Sequence, residues 1–236
     1  MTDPTHQPSQ LHASFSAEPT VRWHTTAADD PHLTSPLVVL LHGRGSHEGD
    51  IIGLADHLPP GASYVAVRAP IAEGGGFAWF ANRGIGRPLP ESLADSTAWF
   101  TRWLDRISVA GRPVILVGFS GGATFAGGVV LADPGRFAGL ASLYATLPFE
   151  AGVPTTPGRL DHVPVLLLQG TDDTVIPVEL QTRTWDYIHN ESGATVLAHR
   201  AAGGHSLTSD GLEILRDWID DLIRRWAQRV AEVRSS

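Results

Sequence analysis

Beyond residue 18 the chain alternates short, continuous apolar runs with longer stretches in which apolar residues recur every three or four positions. The runs are LVVLL (37–41), YVAV (64–67), VILVG (114–118), FAGLASL (137–143), VPVLLLQ (163–169) and ATVLAH (194–199), with TVRWH (20–24) as a candidate edge strand. Continuous runs of this kind suit strands covered on both faces, where no position has to meet water. Between them, Ser92 opens an S-x-x-D start, and Leu93, Phe100, Leu104 and Ile107 supply one helical face. Asp210 and Glu213 form a capping-box-like pair around a stripe of Leu212, Leu215, Ile219, Leu222, Trp226 and Val230, which predicts a helix packed against the sheet. Strands alternating with helices predict an α/β fold, a mostly parallel central sheet with helices on both faces.

Composition narrows the chemistry. With 236 residues and no break in composition, the expectation is a flexible tail over residues 1–18 and a single domain over residues 19–236. A net charge of −8 gives no electrostatic grip on nucleic acid or an anionic membrane. All 17 basic residues are Arg and there is no Cys, which removes lysine and thiol nucleophiles, disulfides and thiolate metal sites. The polar start is unlike a signal peptide, and no apolar run approaches the ~18 residues of a membrane span, so a cytoplasmic protein without membrane insertion is expected. His42, His47 and His57 fit no common metal-site spacing, and Gly74, Gly75 and Gly76 are not followed by the G-K-[ST] of a phosphate loop. No metal or cofactor is expected.

In open parallel sheets ligands bind beyond the carboxyl ends of the strands, so the residues following each run carry the candidate chemistry. His42-Gly43-Arg44-Gly45 follows the first long run, and GFSGG (118–122) ends the third. Gly170-Thr171-Asp172-Asp173 follows the fifth, and Gly203-Gly204-His205 lies just past the sixth. GFSGG fits the G-x-S-x-G elbow, in which glycines allow a turn tight enough to expose the serine hydroxyl. The pentapeptide alone is a weak signal; the order Ser, Asp, His, each after its own strand, is the stronger one. A serine hydroxyl needs a histidine to accept its proton, and the histidine needs a carboxylate to hold its tautomer. Negative charge developing on a carbonyl oxygen needs N–H donors, which the backbone of Gly121 and of Arg44 would supply.

These segments, with LLHGRGSHEGD (40–50), VRAP (67–70), AWF (78–80), GTDDTVIP (170–177) and GGHS (203–206), resemble the phospholipase/carboxylesterase family of α/β hydrolases, which includes acyl-protein thioesterases and small bacterial serine esterases. The resemblance runs over about residues 20–226 and implies an α/β hydrolase fold with a Ser120–His205–Asp173 triad. It selects Asp173 over Asp172, because the family's acid precedes one residue and an apolar pair ending in proline, here Thr174-Val175-Ile176-Pro177. Many members carry Gln after the nucleophile where this chain has Gly121. Only LPFEAGVPTTPGRLDH (147–162) separates two strands where larger relatives insert a lid, so no large cap domain is expected. An open site walled by that loop and by GGGFAWF (74–80) would offer Trp79, Phe80, Leu147 and Phe149 to an acyl chain. The implied activity is hydrolysis of carboxylic esters with short to medium acyl chains, acting on small molecules as a monomer or homodimer. A thioesterase or lysophospholipase would use the same triad, and a non-catalytic ligand-binding descendant of the fold is the alternative from another class.

Overall fold

The computed structural model describes residues 15–24 and 35–235. Its centre is a seven-stranded sheet of β1 (Val21–His24), β2 (Leu37–Leu41), β3 (Ser63–Val67), β4 (Val114–Phe119), β5 (Gly139–Leu143), β6 (Pro164–Gly170) and β7 (Thr195–Ala201), in the order β1-β3-β2-β4-β5-β6-β7. Every pairing is parallel except that of β1 with β3, so the candidate edge strand at residues 20–24 is an edge strand.

The inner strands alternate strictly between two apolar layers, as a period of two requires. Val39, Leu41 and Leu116 face the layer built with α2 (Pro90–Ile107), α3 (Gly121–Ala132) and α4 (Val178–Asp186). Val38, Leu40 and Ile115 face the layer built with α1 (Glu48–Ile51) and α5 (Ser209–Ser235). In α5, Leu215 and Ile219 of the predicted stripe are fully buried against the sheet, joined by Trp218 and Ile223. The outer edge strand β7 is half-exposed along its length.

Helix starts differ from the sequence expectation. Pro90 opens α2, its missing N–H being one that no helical carbonyl would accept. Ser92 lies inside the helix, and its Oγ accepts the Ala81 N–H at 2.9 Å, so it fastens the loop carrying Phe80 instead of capping. At α5 the cap is Thr208, whose Oγ1 accepts the Gly211 N–H at 3.1 Å. The chain segment at 15–18, expected in the tail, is tied down: Trp99 Nε1 donates to Ala17 O at 2.7 Å and Phe15 meets the Trp99 ring edge-on. Residues 1–14 of that expected tail lie outside the described residues.

Residues 147–162 hold no helix, so no helical cap is inserted between β5 and β6. Two small hairpins, Ile71–Glu73 with Gly76–Ala78 and Asn82–Gly84 with Arg87–Pro88, stand over the carboxyl edge of the sheet. Among the described residues no helix is long and apolar enough to cross a membrane.

Candidate active site

The turn from β4 into α3 is tight for reasons that can be read atom by atom. A Cβ on Gly118 would stand 2.5 Å from Ala123 Cα, and one on Gly122 would stand 2.2 Å from Leu41 O. Neither position admits a side chain. Ser120 itself sits at φ 52°, a left-handed conformation uncommon outside glycine, and its N–H donates to Leu143 O at 2.9 Å. The strain is held by packing on both sides and lifts the hydroxyl above the sheet.

The three residues expected from separate loops meet there. His205 Nε2 lies 2.8 Å from Ser120 Oγ, and His205 Nδ1 lies 2.8 Å from Asp173 Oδ2. A carboxylate only accepts, so Nδ1 carries the proton and Nε2 is free to accept the serine O–H. The Asp173 side chain is 2% exposed, and its other oxygen, Oδ1, accepts the N–H groups of Val175 at 2.8 Å and Ile176 at 3.1 Å. The apolar pair after the acid therefore serves through its backbone, orienting the carboxylate. Asp172 turns elsewhere: its Oδ2 accepts the Gly203 N–H at 3.2 Å and braces the loop that delivers His205.

The loop after β2 is the most heavily bonded part of the site. His42 is buried; its Nε2 accepts the Ala69 N–H at 3.0 Å, which leaves Nδ1 to donate to Gly43 O at 2.7 Å. Burial pushes its pKa down, consistent with a neutral ring whose two nitrogens are both spent on structure. Trp79 Nε1 donates to His42 O at 2.8 Å, and Gly45 N–H to Phe77 O at 2.9 Å. Arg44 grips Glu73 through Nε, at 2.6 Å, and Nη2, while its Nη1 donates to Phe80 O at 3.1 Å. Buried Glu48 takes two 2.7 Å bonds from Arg68, which hold its carboxyl below the usual range against the opposing effect of burial.

This bracing presents the Arg44 N–H, which has no acceptor among the described residues, beside Gly121, whose Cβ would come within 3.3 Å of Arg44 N. Gly121 is the first residue of α3, where N–H groups lack helical partners and the helix dipole favours negative charge. Two free donors thus converge beside the serine.

Ser120 and His205 open into a cavity of about 580 Å³. Trp79 and Phe80 line it as expected, but Leu147 and Phe149 do not. Leu147 packs over Gly127 of α3, and Phe149 meets Tyr187 edge-on beneath the Arg183 guanidinium, 4.1 Å from its ring. The loop 147–162 is therefore outer core and not cavity wall. The remaining apolar wall, which sequence reading missed, includes Ile51, Leu54, Ile85, Phe119, Ile176 and Leu207. Two of these had an available signal: Phe119 is the x before the serine, and Leu207 follows His205 by two residues.

The chain is similar to several known hydrolases. The Bacillus subtilis (strain 168) protein MhqD, named as a hydrolase, is 26% identical over 193 residues, covering 79% of this chain and 94% of that protein. A carboxylesterase from Mesorhizobium loti is 27% identical at a TM-score of 0.65, covering 78% of this chain and 88% of the other. The Bacillus cereus carboxylesterase (TM-score 0.74, 22% identity, 88% of this chain and 96% of the other) shares the fold. So does Zea mays acyl-protein thioesterase 2 (TM-score 0.69, 20% identity, 86% and 99%). Residues 25–223 match the model of the phospholipase/carboxylesterase family, and the chain belongs to that family of α/β hydrolases.

Proposed function

We propose that this hydrolase is a serine esterase that cleaves carboxylic esters of short to medium acyl chains through an acyl-enzyme on Ser120. The observation that carries this reading is the unbroken chain Asp173 Oδ2–His205 Nδ1, His205 Nε2–Ser120 Oγ, with 2.8 Å at each link. His205 takes the hydroxyl proton as Ser120 Oγ attacks the ester carbon, and Asp173 stabilises the imidazolium that forms. The carbonyl oxygen becomes an oxyanion between the Arg44 and Gly121 N–H groups, each such donor being worth about 3 kcal/mol in comparable sites. His205 then gives its proton to the leaving oxygen. Water, deprotonated by the same imidazole, releases the acid and restores Ser120.

The chain-length reading rests on the cavity. At about 580 Å³ it is of ordinary small-ligand size, and residues 147–162 add no helical cap to it. Labelling with a fluorophosphonate followed by peptide mapping tests the nucleophile; the expected label is on Ser120, and a label on any other residue overturns the mechanism. A p-nitrophenyl ester series from acetate to palmitate tests the chain length, with kcat/KM expected to peak before the long chains.

A further inference from the structure

The cavity straddles the end of the sheet, and its two flanks belong to different layers of the molecule. Trp79, Phe80 and Ile176 are part of the layer packed with α2 and α3. Ile51, Leu54, Phe119 and Leu207 belong with the layer of α1 and α5. Ser120 stands between them, at the end of β4.

A tetrahedral carbon on Ser120 Oγ has three further substituents, and two of their directions are already taken. The oxyanion points to Arg44 N and Gly121 N. The leaving atom must point to His205 Nε2, because that nitrogen carries the proton it needs. The His205 ring lies against Phe119, with centroids 5.2 Å apart, and the chain continues from His205 into Leu207 on the same flank. The acyl substituent takes the direction that remains.

The geometry points to a division of labour: the flank of Ile51, Leu54, Phe119 and Leu207 receives the leaving group, and the flank of Trp79, Phe80 and Ile176 receives the acyl chain. This inference rests on the esterase reading above and adds a substrate class to it. The leaving-group flank is apolar, and its outer edge carries Asp50, whose Oδ2 accepts the Ser46 hydroxyl at 2.6 Å. The guanidinium on the cavity wall, Arg44, is already engaged by Glu73. A phosphodiester on the leaving side would lose water against Leu54 and Leu207 and meet a carboxylate, with no free cation among the lining residues. The favoured leaving groups are uncharged alcohols, phenols or thiols with an apolar body, and a lysophospholipid headgroup is excluded.

Pre-steady-state kinetics separates the two flanks, since the leaving group is gone once the acyl-enzyme exists. Leu54→Trp, which fills its flank, is expected to lower acylation by butanoates of bulky uncharged alcohols about tenfold or more, and to leave deacylation of the butanoyl-enzyme within about twofold. Phe80→Ala is expected to do the reverse, altering deacylation and the acyl-length profile alike for every alcohol. Leu54→Ala, in case the larger residue disturbs folding, should relax selectivity among alcohols while keeping the acyl-length profile. Butanoyl-enzyme deacylation that changes with Leu54, or an acyl-length profile that does, would overturn the assignment. So would lysophosphatidylcholine turnover matching that of the uncharged butanoates. If no butanoylated Ser120 peptide is found after quenching, the esterase reading itself fails; if it is found and the flanks do not separate, only the present inference fails.

Discussion

The loops of residues 42–50 and 147–162 both follow a strand of the same sheet, β2 and β5, yet they serve different parts of the molecule. In the first, side chains bond inward around the site: His42 to the Ala69 backbone, Arg44 to Glu73 and the Phe80 backbone, Glu48 to Arg68. In the second, Leu147, Phe149 and Leu160 are buried in the α2/α3 layer, and none of them reaches the cavity. A place beyond a strand's carboxyl end is therefore not enough to make a loop functional. The first loop returns over the serine and spends its polar groups on fixing one free N–H, whereas the second runs outward and spends its apolar groups on filling space.

That contrast predicts activity losses at one place and stability losses at the other, measured against the nucleophile itself. Ser120→Ala is expected to lower kcat by about 10⁴-fold or more with an unchanged melting temperature, because it removes a reacting atom and little packing. Asp173→Asn should cost about 10⁴-fold, since the amide cannot hold the same histidine tautomer. Asp172→Asn, whose carboxylate accepts from the Gly203 N–H and the Thr171 hydroxyl and not from His205, should cost far less; a reversed ranking in ester hydrolysis assays would break the assignment.

His42→Phe tests the braced loop. It removes both ring bonds and frees the backbone carrying Arg44 N–H, so kcat should fall by about 10²-fold, the cost of one lost oxyanion donor. In the other loop, Phe149→Ala should cost about 3–5 kcal/mol of stability in a denaturant titration. The kcat/KM of its folded fraction should stay near that of the parent; a comparable loss of activity would put the loop back in the cavity wall.

The smallest effect concerns pH. Burial depresses the His42 pKa, so the unfolded chain binds a proton there that the native state refuses. This contribution is full above the unfolded value of about 6.5 and is lost as pH falls from there through the folded value, at no more than about 1.4 kcal/mol per pH unit. Stability curves measured between neutral and mildly acidic pH should be less steep in His42→Phe than in the parent, and equal slopes would contradict the linkage.

The inner strands β2 to β6 were legible because each is a largely continuous apolar run, a pattern that a sheet covered on both faces demands. The meeting of Ser120, Asp173 and His205 was legible because each follows its own run in order, with the family resemblance selecting Asp173 over Asp172. Other features left little trace. The helix α3, GGATFAGGVVLA, is apolar on all sides and shows no period, since it is buried all round. The hairpins around residues 71–88 have strands of two or three residues, too short to display alternation. Leu147 and Phe149 were read as wall because an apolar side chain looks the same in sequence whether it faces a cavity or a core. Only the path of the backbone separates those cases.

The left-handed backbone at Ser120 also restricts which side chains could serve as the proposed nucleophile there. Threonine carries the same hydroxyl, but its second γ-branch would crowd a residue held at φ 52°, a region that β-branched side chains avoid. Cysteine has the shape of serine with one atom exchanged and fits the same backbone. On the proposed mechanism a thiol at this position is therefore sterically open while a threonine is strained, so the turn itself selects among the hydroxyl and thiol side chains that could attack there.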